Sequence, residues 1–290
     1  MTQSDLRFGP LTAPARFEGA DDIARLVGQR LKGWTIAPWD GPSVPPIITV
    51  GREGNLFVLS SPWAPEPETY RTATSIVCAF ISDLTMAFAA HRDDLVFLHA
   101  GAVSFDGRLI VFPSRTEAGK STLTVVAAAH GAQIFSDDVL PYDLQSGRAM
   151  GLGVSPRPRL PFPADLKPST LAYLNARVAL ANKHYASMEF DAGALAPFGT
   201  SAPVECVVTL ARGDGKPGLF PASRAATMKL LMIQRFGAEP SPAALVRATD
   251  RLTASVPCLT LRYRNADDGA ALLARAARDG FGMDRKAAAS

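Results

Sequence analysis

Apolar and polar positions change their period several times along this chain, and each change predicts an element. Through residues 1–69 short β-like pieces alternate with Pro and Gly. Pro45 to Val50 and Leu56 to Ser60 flank Gly51-Arg52-Glu53-Gly54, which reads as a hairpin. After Pro62, Pro65 and Pro67, the residues Ile76, Val77, Phe80, Ile81, Leu84, Met86 and Phe88 recur at helical spacing, predicting a packing helix from about Glu68 to His91. Leu95 to Ala100 then runs apolar, Ala102 to Phe105 continues it, and Asp106-Gly107 predicts a tight turn into Leu109 to Phe112. That last run is apolar throughout, as in a strand covered on both faces. Ser121 to Ala129 has helical composition, with His130-Gly131 as its C-cap.

Gln133 to Ser136 is a further strand, expected beside the one that ends at Phe112, and it delivers Asp137-Asp138 at its end. Val139 to Met150 predicts a hairpin turning near Gln145-Ser146-Gly147, and Pro156 to Pro161 a proline-stiffened extended segment. Beyond it, Val204 to Leu210 and Cys258 to Tyr263 read as strands. Ala225 to Phe236, Pro242 to Ala254 and Ala266 to Arg278 read as helices, and Lys286 to Ser290 as a frayed tail.

Composition narrows the class. With 47% hydrophobic and 20% charged residues among 290, the chain has the balance of a soluble globular protein that needs no disulfide or metal to hold its core. The net charge of +3 comes from scattered basic residues, which argues against nucleic acid as a partner. Cys78, Cys206 and Cys258 lie apart in apolar stretches and read as core thiols of a reducing, cytoplasmic compartment. No secretory segment opens the chain and no apolar run approaches the roughly 20 residues of a membrane span, so no membrane partner is expected.

Candidate chemistry centres on Ser114-Arg115-Thr116-Glu117-Ala118-Gly119-Lys120-Ser121-Thr122, set between an apolar strand and a helix. In a loop of this kind backbone N–H groups and the helix dipole cradle phosphates. Gly119 allows close approach, Lys120 neutralises β- and γ-phosphate oxygens, and Ser121 offers a hydroxyl to a magnesium ion. The match to the phosphate-loop pattern is incomplete: Ser114 stands at the first glycine position and Glu117 adds a negative charge. Asp137-Asp138 divides into a carboxylate for the metal and a carboxylate for a hydroxyl proton, without the spacing saying which is which. His99 ends its apolar run, where a histidine is ordinarily a core residue.

Taken together, His99-Ala100-Gly101, the hairpin, the loop at 114–122 and Ser136-Asp137-Asp138 resemble the catalytic core of the HPr kinase/phosphorylase family, over about residues 95–163. The resemblance implies an α/β fold, a mixed-sheet core like that of HPr kinase and phosphoenolpyruvate carboxykinase. The core would span 94–285, behind a small N-terminal α+β segment with its packing helix over 1–93. It further implies that residues 114–122 bind ATP, that Ser121 and Asp138 handle Mg2+, and that Asp137 is the general base, with His99 near the phosphates or the base.

The family's metal-assisting Glu has no counterpart in Met150-Gly151-Leu152-Gly153. Arg157 and Arg159 stand in its place, as candidate ligands of an anionic substrate or of the γ-phosphate. No C-terminal region matches the one that engages HPr. The expected activity is therefore an ATP-dependent kinase acting on a hydroxyl of a small protein, peptide or small molecule other than HPr. A nucleotide-binding regulator or scaffold is the alternative, and a homo-oligomer is compatible with either.

Overall fold

The computed structural model describes residues 2–113, 118–191, 193–233 and 242–282. The chain opens with β1 (Gln3–Phe8), β2 (Ala15–Glu18), α1 (Asp21–Gln29), β3 (Ile36–Pro38), β4 (Ile48–Glu53), β5 (Leu56–Ser60) and β6 (Glu68–Tyr70), followed by the long α2 (Ala73–Ala90). Next come β7 (Leu95–Phe105), β8 (Arg108–Pro113), α3 (Lys120–Ala129), β9 (Gln133–Ser136), β10 (Val139–Asp143) and β11 (Arg148–Met150). The remainder is α4 (Pro168–Asn175), β12 (Val178–Ala181), β13 (Ala186–Met188), β14 (Ser201–Arg212), β15 (Gly218–Pro221), α5 (Arg224–Ile233), α6 (Pro242–Ser255), β16 (Cys258–Tyr263) and α7 (Ala266–Asp279).

Two large sheets organise these elements. The first runs β3-β1-β2-β4-β5-β6, and the second β11-β10-β7-β8-β14-β16-β15, with β9 also paired to β7 and β11 to β14. The second sheet is mixed: β14 is parallel to both β8 and β16, whereas β7 is antiparallel to β8, β9 and β10. The period of two along β8 explains its unbroken apolar run. Ile110 and Phe112 enter a core built with α3, α4 and α7, while Leu109 and Val111 enter a second core under α5 and α6. Both faces are covered from Leu109 to Phe112, so no position in that run is left for a polar side chain.

Several expectations are adjusted. The helix expected from Glu68 begins only at Ala73, because Glu68–Tyr70 pairs with β5 as an edge strand and Thr72 then caps the helix by accepting from the Ser75 N–H at 3.2 Å. The turn of the first hairpin is tighter than four residues, since β4 continues through Glu53 and only Gly54-Asn55 lies between the strands. The helix α1, which carries buried Ile23 and Val27, falls where only β-like pieces were expected. The strand ending in Ser136 does not lie beside the one ending at Pro113. β9 pairs with β7, along the edge opposite the one that β7 gives to β8. The physical reason is the length of β7, 11 residues, which lets β10 pair with its first half and β9 with its second. The part of the helix expected as far as Phe236 beyond Ile233, and the tail Lys286 to Ser290, lie outside the described residues.

The helix α2 is, by length and composition, apolar enough to cross a membrane. Here its residues Ile76, Phe80, Leu84 and Phe88 pack against the first sheet and against Leu95 and Phe97 of β7. Each such side chain contributes roughly 1.5–3 kcal/mol of burial. The segment between α1 and β3 is also tied by backbone to those after β11 and before β14: the Lys32 N–H donates to Gly153 O at 2.7 Å and the Phe198 N–H donates to Lys32 O at 2.8 Å. Gly153 has φ +65°, and a Cβ there would stand 1.9 Å from Lys32 O, so only glycine admits this approach.

Candidate active site

The C-terminal ends of the parallel strands β8, β14 and β16 lie together, the position where open mixed sheets place ligands. A cavity of about 580 Å³ occupies that end. Its wall includes His99 from β7, Gly119 to Thr122 from the start of α3, Asp137-Asp138 after β9, and Arg157 and Arg159 from the extended segment.

The start of α3 forms one side. Gly119, with φ +88°, is the left-handed residue that turns the chain into the helix, and its carbonyl accepts from the Leu123 N–H at 2.8 Å. Lys120 is the first helical residue and is 5% exposed; burial lowers its pKa, while Asp138 and Asp137 oppose that shift. Tyr263, at the end of β16, donates its hydroxyl to Ala118 O at 3.4 Å. Ser114, Arg115, Thr116 and Glu117 lie outside the described residues.

The aspartates form the other side. The Ser136 hydroxyl donates to Ala100 O at 2.9 Å and accepts from the Asp138 N–H at 3.1 Å, which fixes how the pair leaves β9. Asp137 is 7% exposed and its Oδ2 accepts from the Arg157 N–H at 2.9 Å. Burial, and then the charge of Asp138, push its pKa up to about 6. Asp138 faces the cavity more openly, with His99 Nε2 3.1 Å from its Oδ1 and Arg157 Nη2 3.5 Å from its Oδ2. Burial lowers the His99 pKa, which Asp138 opposes, and Lys120 adds to the lowering. The Ser121 hydroxyl points the same way and donates to Asp137 O at 3.4 Å.

His99, Lys120, Ser121, Thr122, Asp137, Asp138, Arg157 and Arg159, named from sequence as candidates, thus share one cavity. His99 is half-buried at the carboxylates rather than sealed in the core. Three lining residues were not among the site candidates: Tyr185, Arg212 and Cys78, which was expected as a core thiol and is only partly buried. Cys78 lies on α2, and its carbonyl accepts from Arg157 Nη1 at 3.2 Å. Arg212 ends β14 and is tied to Asp165 at 2.8 Å. Tyr185 precedes β13 and pairs with Arg159 in a β-bridge. No local pattern marks them, because each comes from a different element.

Among the described residues no group of three or more His, Cys, Asp or Glu side chains converges to hold a metal ion. Magnesium does not require one, since it binds through one or two protein oxygens together with substrate phosphates. The Ser121 hydroxyl and the carboxylates of Asp137-Asp138 are oxygen donors of that kind lining the same cavity.

No family model and no curated protein matches the chain. Among solved structures it is similar to the Hpr(Ser) kinase/phosphatase from Coxiella burnetii, at 14% sequence identity, over 63% of this chain and 88% of that one, with a TM-score of 0.34. A likeness of that degree leaves the functional reading to the residues of the cavity itself.

Proposed function

We propose that the cavity is a phosphoryl-transfer site, in which the γ-phosphate of a nucleoside triphosphate, ATP by resemblance, passes to a hydroxyl of a small protein, peptide or small molecule. The observation that carries this is the placement of a buried lysine at a helix start and a carboxylate pair on two sides of one cavity. Lys120 and the N–H groups opening α3 neutralise the phosphates. Asp137 accepts the proton as the acceptor oxygen forms its bond to the γ-phosphorus and the bond to the β,γ-bridging oxygen breaks, releasing ADP. Its raised pKa brings the proton affinity of this base closer to neutrality. Ser121 and Asp138 would hold magnesium, which when bound offsets charge on the β- and γ-phosphate oxygens. His99 positions Asp138, and Arg157 holds Asp137 through its backbone N–H.

One observation favours a second reading, a nucleotide-binding regulator with little turnover. Arg157 engages both carboxylates, one through its backbone and the other through its guanidinium. ADP release in the presence of a hydroxyl acceptor separates the two readings. On the kinase reading Lys120→Ala weakens ATP binding, and Asp137→Asn leaves binding intact while stopping turnover. Unchanged affinity and unchanged rate in Lys120→Ala would sink the assignment of the site.

A further inference from the structure

We propose that Arg159 and Tyr185 form an acceptor subsite for a hydroxyl compound that also carries a carboxylate or phosphate group; this rests on the phosphoryl-transfer reading above. The segment that holds Arg157 and Arg159 is an added strand on the β12–β13 hairpin. The Met188 N–H donates to Pro156 O at 3.1 Å, the Ala186 N–H to Pro158 O at 3.1 Å, and the Leu160 N–H to His184 O at 2.8 Å. In that ladder Arg159 stands directly opposite Tyr185. Directly opposed residues of an antiparallel pair project to the same face, and residues two apart on one strand do so as well. One strand face therefore carries Arg157, Arg159 and, across the ladder, Tyr185, and all three line the cavity.

The two arginines differ in depth. Arg157 reaches inward to Asp138 at 3.5 Å, and Arg159, one repeat of roughly 7 Å further along the strand, is exposed at the mouth beside Tyr185, which is 40% exposed. An acceptor whose hydroxyl meets Asp137 thus has its remaining groups against Arg159 and Tyr185. A guanidinium with planar, forked donors selects carboxylate or phosphate over a neutral group, and the tyrosine adds an apolar face with a hydroxyl. The phosphate cradle opens α3, whereas Arg159 belongs to the segment whose Arg157 N–H donates to Asp137, so the two are built from separate parts of the chain around one cavity.

The test is calorimetric titration of the full chain with D-glycerate, glycerol 3-phosphate and glycerol. It is done with no nucleotide and again with magnesium and a non-hydrolysable ATP analogue. At least one anion is expected to bind ten-fold or more tightly than glycerol, and which of the two does so separates carboxylate from phosphate recognition. Arg159→Gln should abolish that preference and Tyr185→Ala should weaken it, both leaving affinity for the analogue unchanged. Equal binding of glycerol and the anions, binding of neither anion, or an Arg159→Gln variant that loses the analogue as Lys120→Ala does, would each overturn the subsite. Failure of the wild-type chain to bind the analogue counts instead against the phosphoryl-transfer reading, while the nucleotide-free titration still reads Arg159.

Discussion

The backbone N–H of Arg157 donates to Asp137 Oδ2 at 2.9 Å, so a segment twenty residues further along the chain completes the environment of a buried carboxylate. The same arginine extends to Asp138 and to the carbonyl of Cys78 on α2. The extended segment, the aspartates and the long helix α2 therefore meet at one residue. Any movement of Arg157 alters both carboxylates.

Asp137→Asn should stabilise the unliganded protein while stopping phosphoryl transfer. Folding raises the pKa of this acid from 3.8 to about 6, so the folded state favours the protonated form. Stability is then fullest below about pH 4, falls as pH rises toward 6, and stays lower above it. The ceiling of that loss is roughly 3 kcal/mol, and relaxation around a buried charge brings it to about 1–3. Urea denaturation should show the Asn variant ahead by that amount at pH 8 and by much less at pH 4. An advantage independent of pH would contradict the assignment.

Ser121→Ala should raise the magnesium concentration needed for half-maximal turnover about tenfold, by loss of a metal-side oxygen. Binding of the nucleotide without magnesium should hardly change. Titrating magnesium against ADP release, beside a metal-free binding measurement, separates the two effects.

Gly153→Ala should cost about 3 kcal/mol or more. The added Cβ combines a strained φ of +65° with a clash against Lys32 O, in the segment between α1 and β3. Thermal unfolding reads the loss directly, and Gly54→Ala is the control. Gly54 has a similar φ of +58°, but nothing lies within 4 Å of a Cβ there, so only the strain should appear.

Asp267 ties three helices together away from the cavity. It is 1% exposed and accepts from Thr170 Oγ1 at 2.5 Å, from the Lys167 N–H at 2.8 Å and from His130 Nε2 at 3.0 Å. Burial works to raise its pKa, and the bonds from Thr170, His130 and Lys167 outweigh burial and hold it below the usual range. An acid with a lowered pKa contributes its stability above the unfolded value near 3.8 and loses it as pH falls through the folded one. Asp267→Ala should cost about 3 kcal/mol at pH 7 and less in strong acid. A denaturation series from pH 7 to pH 2 checks both parts.

Much of the local structure was legible in residue order. The turn at Asp106-Gly107, the apolar β8, the helix after Lys120 and the strand ending at Ser136 are all set by period and turn chemistry within short windows. Other elements gave weaker local signals. α1 has only nine residues, with Ile23 and Val27 as its buried positions, too short a run for a helical period to stand out. β6 is three residues long, and its pairing with β5 overrides the helical character that the neighbouring run from Ala73 carries.

By itself the sequence determined the chemical parts and their local settings: a lysine opening a helix, two carboxylates ending a strand, two arginines in an extended segment. Those depend on neighbours within a few positions. Only the tertiary structure decided which parts face one another. The long β7 separates β9 from β8, the added strand 156–160 turns Arg157 onto Asp137 and Asp138, and the β12–β13 hairpin sets Tyr185 opposite Arg159. Such contacts span twenty or more residues, and strand pairing and packing select them in a way no periodicity records.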